Sequence, residues 1–135
     1  FVDNSIIVPA LSEHYLEESN KRHWNLLKKA SESGIKMYIN ESLLDELVSH
    51  FQKINNVYYK DFKDNEEYYL FDDYELLFID EVLIRAYFYA KKRAFVKTFD
   101  DFLNNFVDPN LKFLKDELII YLKDVFNIII IIIII

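Results

Sequence analysis

The chain has no cysteine, a single glycine and only two prolines. Without cysteine there is no disulfide framework and no thiolate metal site, and a reducing, cytoplasmic setting is compatible. One glycine cannot build a phosphate-cradling loop. The scarcity of Gly and Pro also removes the turn residues that an all-β fold needs, so the sequence favours helices. No serine-elbow motif is present, and no pair among the three histidines has zinc spacing. No basic segment precedes an apolar stretch at the start, so a secretory leader is not predicted. The chain opens abruptly within a predicted strand, so Phe1 reads as an internal start.

What remains is apolar, aromatic and acidic. With 135 residues, 52% of them hydrophobic, the chain suffices for one domain with a real core. Twelve Phe and ten Tyr supply much of it. A net charge of -7 argues against a broad basic surface for nucleic acid. Nucleic acid would have to reach a metal-loaded acidic pocket, or arrive with another domain or subunit. The last eight residues, Ile128 to Ile135, are all isoleucine. Such a run reads as a placeholder or a truncated tail. Taken at face value it predicts a fully buried strand or an aggregation-prone segment, and it is far shorter than the roughly 20 residues that span a bilayer as a helix.

Along the chain, Phe1 to Val8 reads as a short buried strand and residues 10–18 as a helix. A second helix, capped by Ser19 or Asn20, ends at Gly34. Ile35 to Ile39 reads as the second strand, and Asn40 or Ser42 caps a helix to about Asn55. Residues 58–73 show no clean period and read as loop and helical turns. A long, centrally buried helix is predicted over 74–92. A short third strand follows at Ala94 to Lys97, then helices over 99–106 and 110–126. Strand–helix alternation predicts an α/β fold with a small, mostly parallel sheet, helix-rich overall. Sites in such sheets lie at the carboxyl ends of strands.

The chemistry, if any, must run on carboxylates. Asp3 ends or caps an apolar segment, and a buried carboxylate needs a cation or hydrogen-bond donors. Glu46 lies on the third helix beside an apolar stripe, with His50 one turn on; the bland alternative is a solvated Glu. Asp80 projects into an apolar sector of the long helix, as a pocket acid or as the partner of a buried Tyr. Glu81 instead pairs with Arg85. Asp100 is a possible fourth ligand, although Thr98 and Asp101 also spell a capping box for the next helix.

These elements resemble the PIN-domain superfamily of metal-dependent nucleases. Val2-Asp3-Asn4-Ser5 is similar to its opening strand and first aspartate. Ile39-Asn40-Glu41-Ser42-Leu43-Leu44-Asp45-Glu46-Leu47 is similar to its second strand and helix-borne glutamate. Ile79-Asp80-Glu81-Val82-Leu83-Ile84-Arg85-Ala86 resembles its third acidic element, and Val96-Lys97-Thr98-Phe99-Asp100 its strand-then-Thr-x-Asp element. The resemblance covers about the first 105 residues. It implies a PIN-like domain over 1–127, incomplete at both ends, followed by the tail at 128–135.

The implied activity is that of an endoribonuclease, with RNA preferred over DNA as substrate. Asp3, Glu46 and Asp80 would be catalytic and would hold Mg²⁺ or Mn²⁺, with Asp100 as a further ligand. The metal would activate a water and stabilise charge on the phosphate. The alternative is a catalytically inert PIN-like module that binds protein or RNA. A protein partner, such as an antitoxin or a fused domain, would suit the acidic, aromatic-rich surface. No membrane partner is expected.

Overall fold

The protein was described from a computed structural model, which describes residues 1–71, 76 and 78–132. It is helix-rich, with helices α1 (Asn4–Ser12), α2 (Arg22–Glu32), α3 (Glu41–Val57), α4 (Glu66–Phe71), α5 (Val82–Lys92), α6 (Phe99–Leu103) and α7 (Leu114–Phe126). Two short strands, β1 (Met37–Asn40) and β2 (Ile128–Ile131), pair in parallel with Met37 opposite Ile128 and Asn40 opposite Ile131. The mixed α/β expectation therefore holds in its coarse form.

The predicted first strand is a helix. Asp3 takes an extended N-cap conformation and its Oδ1 accepts from the Ser5 amide at 3.3 Å. Ile7, Ala10 and Leu11 then fall on one buried face at helical spacing. That packing outweighs both the β-branching of Ile6, Ile7 and Val8 and the cost of Pro9 inside the helix. Sheet-like pairing survives as one main-chain bond, from Val2 N–H to the Tyr38 carbonyl at 2.8 Å.

The second helix and second strand lie close to their predicted places. Gly34, at φ +80, ends α2 in the left-handed conformation that glycine favours. Asn40 caps α3, its Oδ1 accepting from the Leu43 amide at 2.8 Å. The irregular segment is a π-helical turn over Tyr58–Phe62, then a 3₁₀ turn over Lys63–Asn65, then α4. Residues 72 and 73 of that predicted segment lie outside the described residues.

The long helix predicted over 74–92 is interrupted: Leu76 is helical, but α5 begins only at Val82. Ile79, Asp80 and Glu81 are not helical, and Arg85 donates to the Ile79 carbonyl from Nε at 3.3 Å and Nη2 at 2.9 Å. The predicted start at 74, 75 and 77 lies outside the described residues. The third strand is not formed either. Ala94 takes a left-handed conformation (φ 63), and Phe95 N–H bonds back to the Ala90 carbonyl at 2.9 Å, so 94–97 is a helix-ending turn. The missing cue was a glycine: an alanine occupies the position where one is usual.

At the other end, Asn127 (φ 57) closes α7 and turns the chain straight into β2. The isoleucine run is a strand in Ile128–Ile131, but it is not fully buried. Ile128 is buried and Ile129 is 44% exposed, while Ile130 and Ile131 are half-buried. Residues 133–135 lie outside the described residues. The core gathers Phe51, Tyr87, Phe88, Phe99, Phe102 and Phe126, all essentially inaccessible. Tyr58 stacks on Phe99 with centroids 4.1 Å apart, which pins the π-helical turn to α6. No helix among the described residues is long and apolar enough to cross a membrane.

Candidate functional site

The predicted acids occupy separate environments. Asp3 is exposed and spends Oδ1 on its helix cap. Glu46 is exposed on α3, where it lines a cleft of about 200 Å³ with Asn4, Val8, Ser49, His50 and Lys53. The start of the chain is indeed brought against the end of β1 and the start of α3, because the Asn4 side-chain amide donates to the Leu43 carbonyl at 2.9 Å. Asp80 is not in that cleft. It is exposed rather than buried, and it lies in the non-helical segment before α5.

The roles expected of Asp80 and Glu81 are also exchanged. Glu81 is the half-buried one, and it pairs with Lys53 at 3.0 Å rather than with Arg85. The prediction fails because the helical phase was projected through 79–81, where there is no helix. Asp100 is exposed in the first turn of α6 and accepts from the Tyr59 hydroxyl at 3.2 Å. The capping box is present: Thr98 Oγ1 accepts from Asp101 N–H at 3.1 Å, and Asp101 Oδ2 accepts from Thr98 N–H at 3.2 Å.

Among the described residues no group of three or more His, Asp and Glu side chains comes together in a way that could hold a metal ion. His50 lines the Glu46 cleft, where its charged form is disfavoured. Burial holds its pKa below the ordinary histidine value, with Glu81 pulling it up and Lys53 pushing it down. Its Nε2 and the Asn4 Oδ1 are both buried without a hydrogen-bond partner among the described residues. The donor set here holds a single carboxylate, with one imidazole, one side-chain amide, the Ser49 hydroxyl and the repelling Lys53 ammonium beside it. That is a poor match to Mg²⁺ or Mn²⁺, which favour several oxygen ligands. A thermal melt is therefore expected to move by no more than about 1 °C in millimolar Mn²⁺. A tight site would stabilise the fold by about 2.7 kcal/mol at a hundredfold excess over its dissociation constant, a shift of several degrees that the melt would reveal.

Asp80 sits instead in a cleft of about 420 Å³ between the turns after α3 and the segment before α5. Its walls are aromatic: Phe62, Tyr68, Tyr69 and Phe78. Phe62 and Tyr69 are fixed from behind, with ring centroids 5.9 and 5.3 Å from that of the buried Phe88. Three carboxylates line the same space, from Asp61, Asp80 and Glu81. Glu81 is partly neutralised by Lys53, whereas Asp61 and Asp80 are exposed. Aromatic faces beside unneutralised carboxylates form a surface that attracts organic cations, through ring quadrupoles and through charge.

Sequence reasoning missed a second polar cluster. Glu66, at the start of α4, accepts hydrogen bonds from the hydroxyls of Tyr58 and Tyr87 and from the Lys91 ammonium. Burial alone would raise the Glu66 pKa, but these three donors and the Lys91 charge hold it below the usual carboxylate value. Burial and the shared carboxylate push both tyrosine hydroxyls far above the ordinary phenol value. The cluster ties α4 and the π-helical turn to α5. No spacing rule in the sequence pairs residues 58, 66, 87 and 91.

No family model, no curated protein and no solved structure matches this chain. The resemblance to PIN domains thus stands on the quoted residues alone.

Proposed function

We propose that this chain is a non-catalytic interaction module that receives a basic segment of a protein partner in the Asp61–Asp80 cleft. The observation that carries this reading is the composition of that cleft: four aromatic side chains and three carboxylates around one space, with Lys53 as the paired cation beside them. An arginine suits it best. Its planar guanidinium stacks on aromatic faces and forks onto a carboxylate, two interactions a lysine makes less well. The net charge of -7 adds long-range attraction for a basic partner and repels a phosphate backbone. A protein partner is therefore favoured over RNA. The endoribonuclease reading would need Asp3, Glu46 and Asp80 to act on one cation. Their cap, cleft and loop positions lend it no support.

Calorimetric titration with an acetylated, amidated tri-arginine peptide tests the proposal. Saturable binding is expected, weaker for tri-lysine and undetectable for tri-glutamate. A charge-assisted hydrogen bond contributes about 1.5–3 kcal/mol, so Asp80→Asn should weaken tri-arginine by about tenfold or more. Asp124→Asn, a change outside the cleft, should leave it unaltered. Equal affinity in the parent and Asp80→Asn would overturn the assignment.

A further inference from the structure

A second cleft, of about 320 Å³, has the opposite character. Leu16, Leu76, Val82 and Ala86 make its wall apolar, and Arg85 and Arg93 add two guanidinium groups. The chain has only three arginines, so two of them open onto this one space. Among the described residues neither pairs with a carboxylate. Arg85 donates from Nε and Nη2 to the Ile79 carbonyl, which fixes the side chain and leaves Nη1 for another acceptor. Arg93 lies over the ring of Tyr89, 3.6 Å from its centroid, and donates from Nη1 to the Tyr89 carbonyl at 3.3 Å. A guanidinium has five N–H donors, so most of those on Arg93 remain available.

Two fixed guanidinium groups beside an apolar wall specify a ligand with the matching halves. We infer that this cleft binds a monocarboxylate carrying a short hydrocarbon body, such as a medium-chain fatty acid. The carboxylate matches the arginine fork bidentately. The hydrocarbon covers Leu16, Leu76, Val82 and Ala86, and the volume lies near the lower end of small-molecule sites, roughly 300–1,000 Å³. Neither arginine lines the acidic cleft, so this inference does not depend on the peptide-binding reading.

Calorimetry with sodium octanoate, 1-octanol and sodium acetate tests it, because the last two each supply only one half of the ligand. Octanoate is expected to bind saturably at one site, at least tenfold tighter than either. Arg93→Gln should weaken octanoate about tenfold and leave 1-octanol unchanged, and Arg93→Lys should restore it only in part. Ala86→Phe, which fills the cleft, should abolish binding, while a cooperative thermal melt with parent-like circular dichroism shows that the variant is folded. Octanol binding as tightly as octanoate, octanoate unaffected by Arg93→Gln, or no saturable heat at millimolar octanoate would each overturn the inference.

Discussion

Glu66→Ala is expected to destabilise the fold by about 3 kcal/mol, which for a chain of this size lowers the melting temperature by roughly 10 °C. The carboxylate is the common acceptor for Tyr58, Tyr87 and Lys91. Removing it leaves two hydroxyls, one of them on the fully buried Tyr87, and an ammonium without their partner. Glu66→Gln should cost less, because an amide oxygen still accepts while the charge for Lys91 is gone. The two variants also separate in their pH dependence. The folded-state pKa of Glu66 is depressed, so its stabilisation is complete above the unfolded value near 4.5 and is lost as pH falls through the folded value. Parent stability should therefore decline more steeply than that of Glu66→Gln below about pH 4.5. Denaturant melts from pH 3 to 7 on both proteins measure the difference, and parallel curves would refute it.

The second large effect is expected at Glu13, the buried acid that ends α1. Helix α2 has no side-chain cap of its own: Lys21 occupies the N-cap without a side-chain bond. Glu13 serves instead from across the chain. Its Oε1 accepts from the Trp24 amide at 2.8 Å, and Oε2 lies 2.7 Å from His23 Nδ1. A carboxylate at a helix N-terminus satisfies an orphan amide and complements the helix dipole. Glu13→Ala should cost about 2–3 kcal/mol by leaving that amide unsatisfied, and Glu13→Gln about half as much. Trp24 packs edge-on against Phe126, with centroids 4.8 Å apart, so the loss should also appear as a change in tryptophan fluorescence. An unchanged denaturation midpoint for Glu13→Ala would refute this role.

Those two acids show why the fold was more legible than its polar contacts. Elements with a local signature were readable: Gly34 ends α2, Asn40 opens α3, and Thr98 with Asp101 opens α6. Each acts within a few residues of itself. Glu13 and Glu66 act over 10–11 and 8–25 residues, and no period encodes such partners. Elements were misread where tertiary packing overrides local preference. Ile6, Ile7 and Val8 are β-branched, yet their helical spacing with Ala10 and Leu11 decides the outcome. Ala94 ends α5 in a conformation that glycine would have announced.

The candidate site was legible in part. Glu46 shares a cleft with Asn4, whose side chain bonds to the Leu43 carbonyl, but not with Asp3. The helical reading expects Asp80 to be buried in an apolar sector; it is exposed beside Phe62, Tyr68, Tyr69 and Phe78. That reading runs the helical phase through 79–81, where the chain is not helical and Arg85 donates to the Ile79 carbonyl. Three of the four aromatic neighbours of Asp80, namely Phe62, Tyr68 and Tyr69, come from the 58–73 region, whose lack of periodicity hides what those side chains face.

Mapping the tri-arginine peptide by amide chemical shifts tests the central claim most directly. In a two-dimensional ¹⁵N–¹H titration of the whole chain, saturable shifts should centre on Asp61, Phe62, Tyr69, Ile79, Asp80 and Glu81, and should need about tenfold more peptide to saturate in Asp80→Asn. Shifts centred on Asn4, Glu46 and His50, or no saturable shifts at all, would contradict it.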